Sequence, residues 1–272
     1  MAAITDQEFK QLADYVKAHY GIHLKDEKRP LVLGRLQHVL TEKGFATFTE
    51  YMKYVTSDRT GAAARGLVDK ITTNHTFFMR ETEHFHFFKS QVLPYLVKTV
   101  KEKDLRIWSA GCSSGEEPYT LAMIIDEFFG AQKPQWDTKV LATDISSRVL
   151  ETAQKGIYSL ESIQTIPAGW KSGYFRKLNA EQAVVDSKLQ REVVFRKFNL
   201  MDPVFPFKRK FHTIFCRNVM IYFDGPTKNN LVNKYYEMME PGGYLFIGHS
   251  ESIDRNESPF QYVRPAIYRK PF

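Results

Sequence analysis

The segment Trp108-Ser109-Ala110-Gly111-Cys112-Ser113-Ser114-Gly115-Glu116-Glu117-Pro118 carries the sharpest chemical signal in this 272-residue chain. An apolar strand ends, small residues turn tightly, and a helix opens with Pro118 in its first turn, where a missing N–H costs little. Glycines such as Gly111 let the backbone approach a ligand closely. A purely structural strand-to-helix turn would use the same residues. Glu116 and Glu117 narrow the choice of ligand. A helix N-terminus ordinarily attracts phosphate, and two carboxylates placed there repel it. NAD and ATP are therefore poor candidates. A phosphate-free ligand carrying positive charge, of which S-adenosylmethionine is one, suits the site better.

Further chemistry-bearing residues stand where other strands should end. Ala142-Thr143-Asp144 closes one, and its carboxylate can accept hydrogen bonds from both hydroxyls of a ribose; the alternative use of Asp144 is as an N-cap. Phe198-Asn199-Leu200 offers one polar and one apolar contact for an adenine ring. Ile214-Phe215-Cys216-Arg217-Asn218-Val219-Met220-Ile221-Tyr222-Phe223 leads out of a third strand. Ligands of open parallel sheets bind outside the carboxyl ends of the strands, so Arg217, Asn218 and Tyr222 should face the same crevice. The planar fork of an arginine there can clamp a carboxylate.

Such strand ends need a parallel sheet to gather them. Strand-like and helix-like segments alternate from residue 105: strands at Leu105–Ser109, Val140–Thr143, Thr213–Cys216 and Tyr244–Gly248, with helices at Glu116–Phe129, Ser147–Lys155 and 227–239. This pattern predicts a mostly parallel sheet covered by helices. Phe260–Val263 and Ala266–Arg269 are too close together for a crossover and predict an antiparallel end. Between about 157 and 195 the alternation breaks, and Tyr174-Phe175-Arg176 and Ala183-Val184-Val185 predict a small antiparallel insertion. It leads into one more sheet strand near Val193–Phe198.

The first 75 residues predict short helices only. Thr5-Asp6-Gln7-Glu8 and Thr47-Phe48-Thr49-Glu50 read as capping boxes. Phe9, Leu12, Ala13, Val16 and Tyr20 mark one helical face, and Gly21 a stop. A second helix is expected over 26–43 with Leu33, Leu36 and Leu40 inward. A third has Tyr51, Tyr54 and Val55 on one side, a fourth spans roughly 61–71, and a longer one follows over 82–101. The chain thus divides into a helical unit, 1–75, and an α/β unit, 76–272.

Composition limits the partner. Two cysteines, Cys112 and Cys216, cannot build a disulfide framework, which points to a reducing compartment. The longest apolar runs, such as Leu121–Ile125, fall far short of the roughly 20 residues of a membrane span. The start, Met1-Ala2-Ala3-Ile4-Thr5-Asp6, has no signal-peptide character. A soluble cytoplasmic protein is expected, with a monomer as the simplest state. The net charge of +7 suits nucleic acid, an anionic surface or an acidic protein. Residues 171–210 hold ten Lys/Arg against four Asp/Glu, and a solvated basic face is the plain alternative.

Taken together, Thr72-Thr73-Asn74-His75-Thr76-Phe77-Phe78-Met79-Arg80-Glu81, the turn at 108–118, Phe215–Phe223 and Gly248-His249-Ser250-Glu251 resemble the CheR-type methyltransferases. The resemblance covers essentially the whole chain. It implies a class I S-adenosylmethionine-dependent methyltransferase fold, Rossmann-like, with an antiparallel β-insertion and an all-helical N-terminal domain. It implies methyl transfer from S-adenosylmethionine to glutamate side chains of bacterial chemoreceptors. By motif, Asn74, Thr76 and Arg80 would contact the cofactor, with Arg80 near its carboxylate or the substrate. Gly111 and Glu117 would also hold it, Asp144 would take the ribose, and Asn199 with Leu200 would surround the adenine. Arg217 with Asn218 would border the cofactor, and Arg217 and Tyr222 the acceptor. Lys28, Arg29 and Arg35 would meet the acidic helices of the receptor's cytoplasmic domain. One departure stands out. Family members that dock on a receptor's C-terminal peptide tether carry a glycine-containing loop in the insertion, and this chain has no Gly between Gly173 and Gly225. Recognition without a tether is therefore expected.

Other readings have less to support them. A nucleic-acid methyltransferase would suit the positive charge, but Cys216-Arg217-Asn218-Val219 lacks the Asp/Asn-Pro-Pro-aromatic turn of base-amino methylation. A non-catalytic scaffold would have no use for Asn74, Arg80, Asp144, Arg217 and Tyr222 together. His84 and His86, at i and i+2, do not share a helical face, so no metal site is expected. Cys112 has no partnered base and reads as packing. The Phe-rich runs at 77–78, 85–88 and 128–129 read as core, and His249 as support or pocket contact.

Overall fold

The computed structural model describes residues 4–254 and 256–272; Met1–Ala3, part of the stretch read above for a signal peptide, lie outside the described residues. Helices α1 (Asp6–Tyr20), α2 (Arg29–Lys43), α3 (Phe48–Ser57) and α4 (Ala62–Ile71) lead the chain. The first capping box is complete, with Thr5 Oγ1 accepting from the Glu8 N–H and the Glu8 carboxylate accepting from the Thr5 N–H. Glu8 also reaches the Thr49 N–H at 2.9 Å, pinning α1 to the start of α3. The second box forms by half. Thr47 accepts from Glu50 N–H, but the Glu50 carboxylate takes the Ala46 N–H, one residue earlier than a box requires.

The inward stripe of α2 is Val32, Leu36, Val39 and Leu40. Leu33 is half-buried, and Tyr54 of α3 is exposed while Tyr51 and Val55 are buried. Asp26–Lys28 makes a 3₁₀ turn, so α2 starts later than expected, with Pro30 in its first turn. The helix expected over 82–101 is two pieces, α5 (Thr82–Phe87) and α6 (Leu93–Thr99), joined by a π-helical turn at Phe88–Val92. Pro94 explains the interruption, since it has no N–H for the carbonyl four residues earlier.

The remaining elements are β1 (Ile107–Ala110), α7 (Glu116–Phe129), β2 (Val140–Asp144), α8 (Ser147–Lys155), β3 (Ile157–Ser159), α9 (Ala168–Tyr174), β4 (Phe175–Lys177), β5 (Gln182–Val185), α10 (Ser187–Gln190), β6 (Val193–Lys197), β7 (Phe211–Cys216), α11 (Gly225–Glu237), β8 (Met239–Ile247), β9 (Gln261–Arg264) and β10 (Ile267–Arg269). Seven strands form one sheet in the order β6-β2-β1-β7-β8-β10-β9, and β3-β5-β4 form a separate antiparallel sheet. β6, β2, β1, β7 and β8 are mutually parallel, and β10 runs antiparallel to both β8 and β9. The chain winds outward from β1 through β2 to β6, then returns to β1's other side with β7. That reversal leaves a crevice above the carboxyl ends of β1 and β7.

Both faces of the sheet are covered. Trp108, Ile214 and Leu245 pack against Leu231, Val232 and Tyr235 of α11. Ile107, Val140, Phe215 and Phe246 pack on the opposite face against α5, α6 and α7. Trp108 is wholly buried, and its indole N–H donates to Thr143 Oγ1 at 2.9 Å, so its one polar atom is satisfied. The insertion is tied to α7 and α8 through Tyr119, Tyr158, Phe175 and Val185. Phe78, Phe85, Phe88 and Phe129 are core as expected, but Phe77 is 42% exposed.

Candidate active site

The turn after β1 uses its amides internally. Gly111 and Cys112 N–H groups donate to the Thr143 carbonyl at 2.8 and 2.9 Å, and Gly115 N–H to the Cys112 carbonyl. Ser113 N–H donates to Asp144 Oδ2 at 2.8 Å. Gly111 sits at φ +91°, and a Cβ there would come within 2.4 Å of Val219 Cγ2. Glu116 places its carboxylate at the start of α7, where it accepts from Ser114 Oγ. Four amides of the turn are thus already engaged, and a carboxylate stands at the helix start, where it would repel a phosphate. The donor set fits a ligand held by carboxylates and not by phosphate-binding N–H groups.

Asp144 is buried at the tip of β2. Its second oxygen accepts the Ser146 N–H at 2.9 Å, while the N-cap of α8 is Ser146 itself. Asp144 therefore does not cap that helix. Burial pushes its carboxyl up, against the downward pull of the Ser146, Ser113 and Ile145 amides. Its four acceptor positions exceed these three amides, so the carboxylate can take a further donor.

A cleft partly open to solvent lies over these strand ends. It gathers every residue expected to touch cofactor or acceptor. Gly111, Glu117 and Asp144 come from the first two strand ends, Asn199 and Leu200 from beyond β6, and Arg217, Asn218 and Tyr222 from beyond β7. Asn74, Thr76 and Arg80 come from the segment linking α4 to α5, and Tyr20 and Ile22 from the end of α1.

Arg217 lies between two acids. Its Nη1 donates to Glu117 Oε2 at 3.0 Å, and its Nε and Nη2 donate to Glu81 Oε2 at 3.3 and 3.0 Å. Nη2 also donates to the Arg80 carbonyl, and the guanidinium lies over the Phe85 ring. The side chain is 2% exposed. Glu117 accepts in addition from Ser109 Oγ at 2.7 Å. Burial pushes the Glu117 carboxyl up, with Arg217 pulling the other way. For Glu81, burial is outweighed by the Arg217 charge and by donors from His249 and Asn218, and its carboxyl is held below the usual range.

The rim is looser. Arg80 Nη1 donates to the His75 carbonyl at 2.7 Å, and its guanidinium lies near exposed Phe77. Tyr222 Oη donates to the Thr73 carbonyl at 3.3 Å, and burial raises its phenol, so it is neutral at pH 7. Asn199 Nδ2 donates to the His19 carbonyl at 2.8 Å. Asn74 Nδ2 donates to Thr72 Oγ1, and its carbonyl accepts from Ser113 Oγ.

Lys28, Arg29 and Arg35 do not join the cleft. Arg35 donates to the Ile71 and Thr72 carbonyls and to Thr73 Oγ1, so it holds the end of α4 and the linker. Arg29 pairs with Asp6 and Asp26 and lies over Phe9. Lys28 is exposed.

Two acids of this site carry no role in the sequence reading. Glu251 accepts the Asn218 and Ile221 N–H groups at 3.0 and 3.1 Å, along with the Gly248 N–H. Glu81 follows Arg80 directly, and only the fold shows that it turns back toward Arg217. Glu81, His84 and His249 bring ligand atoms within 4.8 Å of one another. The Glu81 oxygens are already engaged by Arg217, Asn218 and the His249 N–H, so a guanidinium stands where a cation would bind.

Comparison with known proteins identifies the family of the chain. Residues 7–72 match the family model of the CheR methyltransferase all-alpha domain, and residues 74–268 that of the CheR methyltransferase SAM binding domain. A chemotaxis protein methyltransferase of Borreliella burgdorferi is 44% identical over 98% of this chain and 95% of its own length. One of Escherichia coli is 32% identical over 98% and 91%. A solved glycopeptide N-methyltransferase, MtfA, complexed with S-adenosylmethionine overlays 58% of this chain and 48% of its own, at a TM-score of 0.32 and 14% identity. With both of its units matched and S-adenosylmethionine as its cofactor, the chain belongs to the CheR methyltransferase family.

Proposed function

We propose that the protein methylates glutamate side-chain carboxylates in the cytoplasmic helical domain of chemoreceptors, giving glutamate methyl esters and S-adenosylhomocysteine, as a step of sensory adaptation. The observation that carries this reading is the composition of the cleft: carboxylates and a buried arginine within, one arginine and one neutral phenol at the rim. When bound, S-adenosylmethionine supplies an electrophilic methyl group. The chain's residues supply position. Glu117 and Asp144 would hold the cofactor's polar groups, Asp144 at the ribose, with Gly111, Asn74, Thr76 and Asn218 around it and Asn199 and Leu200 at the adenine. Arg80 and Tyr222 would orient the acceptor carboxylate, and Arg217 would fix the acids behind them. A glutamate with a pKa near 4.3 is an anion at pH 7 and needs no base. Alignment and exclusion of water are the enzyme's task.

The units 1–75 and 76–272 divide the work in this reading, with the insertion at about 157–195 and exposed Lys28 forming basic docking surfaces for an acidic receptor. Arg29 and Arg35 support that surface while holding Asp6 and the linker. Recognition proceeds without a peptide tether, by a cytoplasmic monomer that neither binds nucleic acid nor enters a membrane; among the described residues no helix is long and apolar enough to cross one. Radiolabelled transfer to a chemoreceptor cytoplasmic fragment, followed by base, tests the chemistry. Release of labelled methanol is expected, and a base-stable label would overturn the proposal. Tight binding of a receptor C-terminal peptide in a titration would overturn tether-free docking.

A further inference from the structure

Glu81 ties together two loops at the carboxyl ends of the strands. Its Oε2 takes the Nε and Nη2 of Arg217. Its Oε1 takes Asn218 Nδ2 and the His249 N–H, both at 3.2 Å. One carboxylate thus joins the loop after β7 and the turn after β8 to the start of α5. It does so from a left-handed backbone, φ +55°. Asn218, at the other end of one of these bonds, sits at φ +59° and Ser113 at +49°, so two of the six non-glycine residues found in this conformation among the described residues line the cleft, and Glu81 stands directly behind one of them. A non-glycine residue is held there only when its surroundings over-determine it, and such strain gathers at functional sites.

The consequence falls on Arg217. Its guanidinium offers five N–H groups. Glu81 takes two and the Arg80 carbonyl one, all from the Nε and Nη2 edge. Nη1 is what remains on the cleft side, bonded to Glu117. A guanidinium is planar, so fixing one edge fixes the direction of the other. His84, 1% exposed, packs its Nδ1 3.3 Å from Glu81 Oε2, and its ring meets that of His249 at 4.5 Å. These rings close the far side and leave the carboxylate little freedom to turn.

We infer that Glu81 is a positioning residue for methyl transfer: by holding the Nε and Nη2 edge of Arg217, it sets Nη1 and Glu117 toward the bound cofactor. This rests on the proposed function for the reaction, but the Glu81–Arg217 link is measurable without it. Glu81→Gln keeps the size of the side chain and removes its charge, leaving an amide N–H₂ facing donors.

The experiment uses the full chain in two arms. In the first, the Arg217 Nε–H resonance is identified by its loss in Arg217→Lys, and its exchange with solvent is followed without any acceptor. In Glu81→Gln it is expected to exchange at least tenfold faster; an unchanged rate would show that Glu81 does not hold Arg217 and would end the inference, whatever the acceptor proves to be. In the second arm, turnover on a receptor fragment is expected to fall at least thirtyfold in Glu81→Gln. Calorimetric affinity for S-adenosylhomocysteine should fall by a clearly smaller factor than turnover, because Ser109 Oγ still holds Glu117. Combined with Arg217→Lys, the variant should lose little further turnover, because both changes break one linkage. Full multiplication of the two losses, or a loss of affinity as large as the loss of turnover, would overturn positioning through Arg217. A parent enzyme that binds the cofactor yet methylates no receptor fragment would count against the proposed substrate alone, leaving the exchange arm to decide on Glu81.

Discussion

The His23 N–H donates to the Tyr222 carbonyl at 2.8 Å, so the segment after α1 is bonded to the loop that carries a rim residue of the cleft. Ile22 and Phe223 form an antiparallel bridge beside it, and Lys17 reaches Asp224 at 2.8 Å. Asn199 is held from the same place through the His19 carbonyl. The helical unit is therefore part of the wall of the cleft as well as a candidate docking surface.

Gly21 is the hinge of that wall, at φ +71°, and a Cβ there would meet Met201 Sδ at 2.4 Å and Thr227 Cγ2 at 3.1 Å. Gly21→Ala should cost about 1–3 kcal/mol of stability, from left-handed backbone strain plus crowding. It should also weaken cofactor binding, because Asn199 and Tyr222 shift with it. Urea unfolding and calorimetry check both; unchanged affinity with lowered stability would mean that the wall does not transmit to the site.

Asp144 satisfies two buried N–H groups before any ligand arrives. In Asp144→Asn one of them must face an amide N–H₂, which costs about 1–3 kcal/mol. Affinity for S-adenosylhomocysteine is expected to fall roughly tenfold or more, as a charged acceptor is lost. Equal affinity in a folded variant would remove Asp144 from the ribose.

The cleft was legible because strand ends are short, local signals: Gly111, Asp144, Asn199 and Arg217 each follow an apolar run, and a parallel sheet collects such positions by topology alone. What the sequence hides is how side chains are spent. Arg217 reads as a free clamp, yet its charge is shared between Glu117 and Glu81. Arg35 reads as a docking cation, yet it holds the carbonyls at the end of α4. These partners lie 36 to 136 positions away along the chain, where neither period nor spacing reaches. β3 and α9, three and seven residues long, are too short to carry a pattern.

Removing Arg217 should be felt mainly as two stranded acids. Breaking a buried ion pair by deleting one partner costs about 3–5 kcal/mol, and Arg217→Ala is expected to show that loss in urea unfolding at pH 8. Without the guanidinium, the buried Glu81 and Glu117 carboxyls have pKa values raised above their unfolded value near 4.3. A raised folded value makes protonation favour the folded state, so the deficit should shrink between pH 8 and pH 5. A deficit that stays constant or grows toward pH 5 would show that the acids are not what the arginine stabilises.

Two buried histidines set the opposite trend in the parent protein. Burial, followed by the Arg217 charge, depresses His84 to about 3. Burial, followed by the Arg106 charge, depresses His212 to about 4. His212 Nδ1 accepts the Arg106 N–H at 3.1 Å, a bond that only the unprotonated nitrogen can make. For a depressed folded value, stability is fully present above the unfolded pKa near 6.5 and is lost as pH falls from there toward 4 and 3. At pH 5 each histidine should have cost about 2 kcal/mol relative to pH 7.5. His212→Asn keeps an acceptor for the Arg106 N–H and cannot titrate. Its unfolding free energy should fall less steeply than the parent's, by about half a proton's worth of slope near pH 6.5, approaching one near pH 5. Parallel curves would mean that His212 is not held neutral in the folded state.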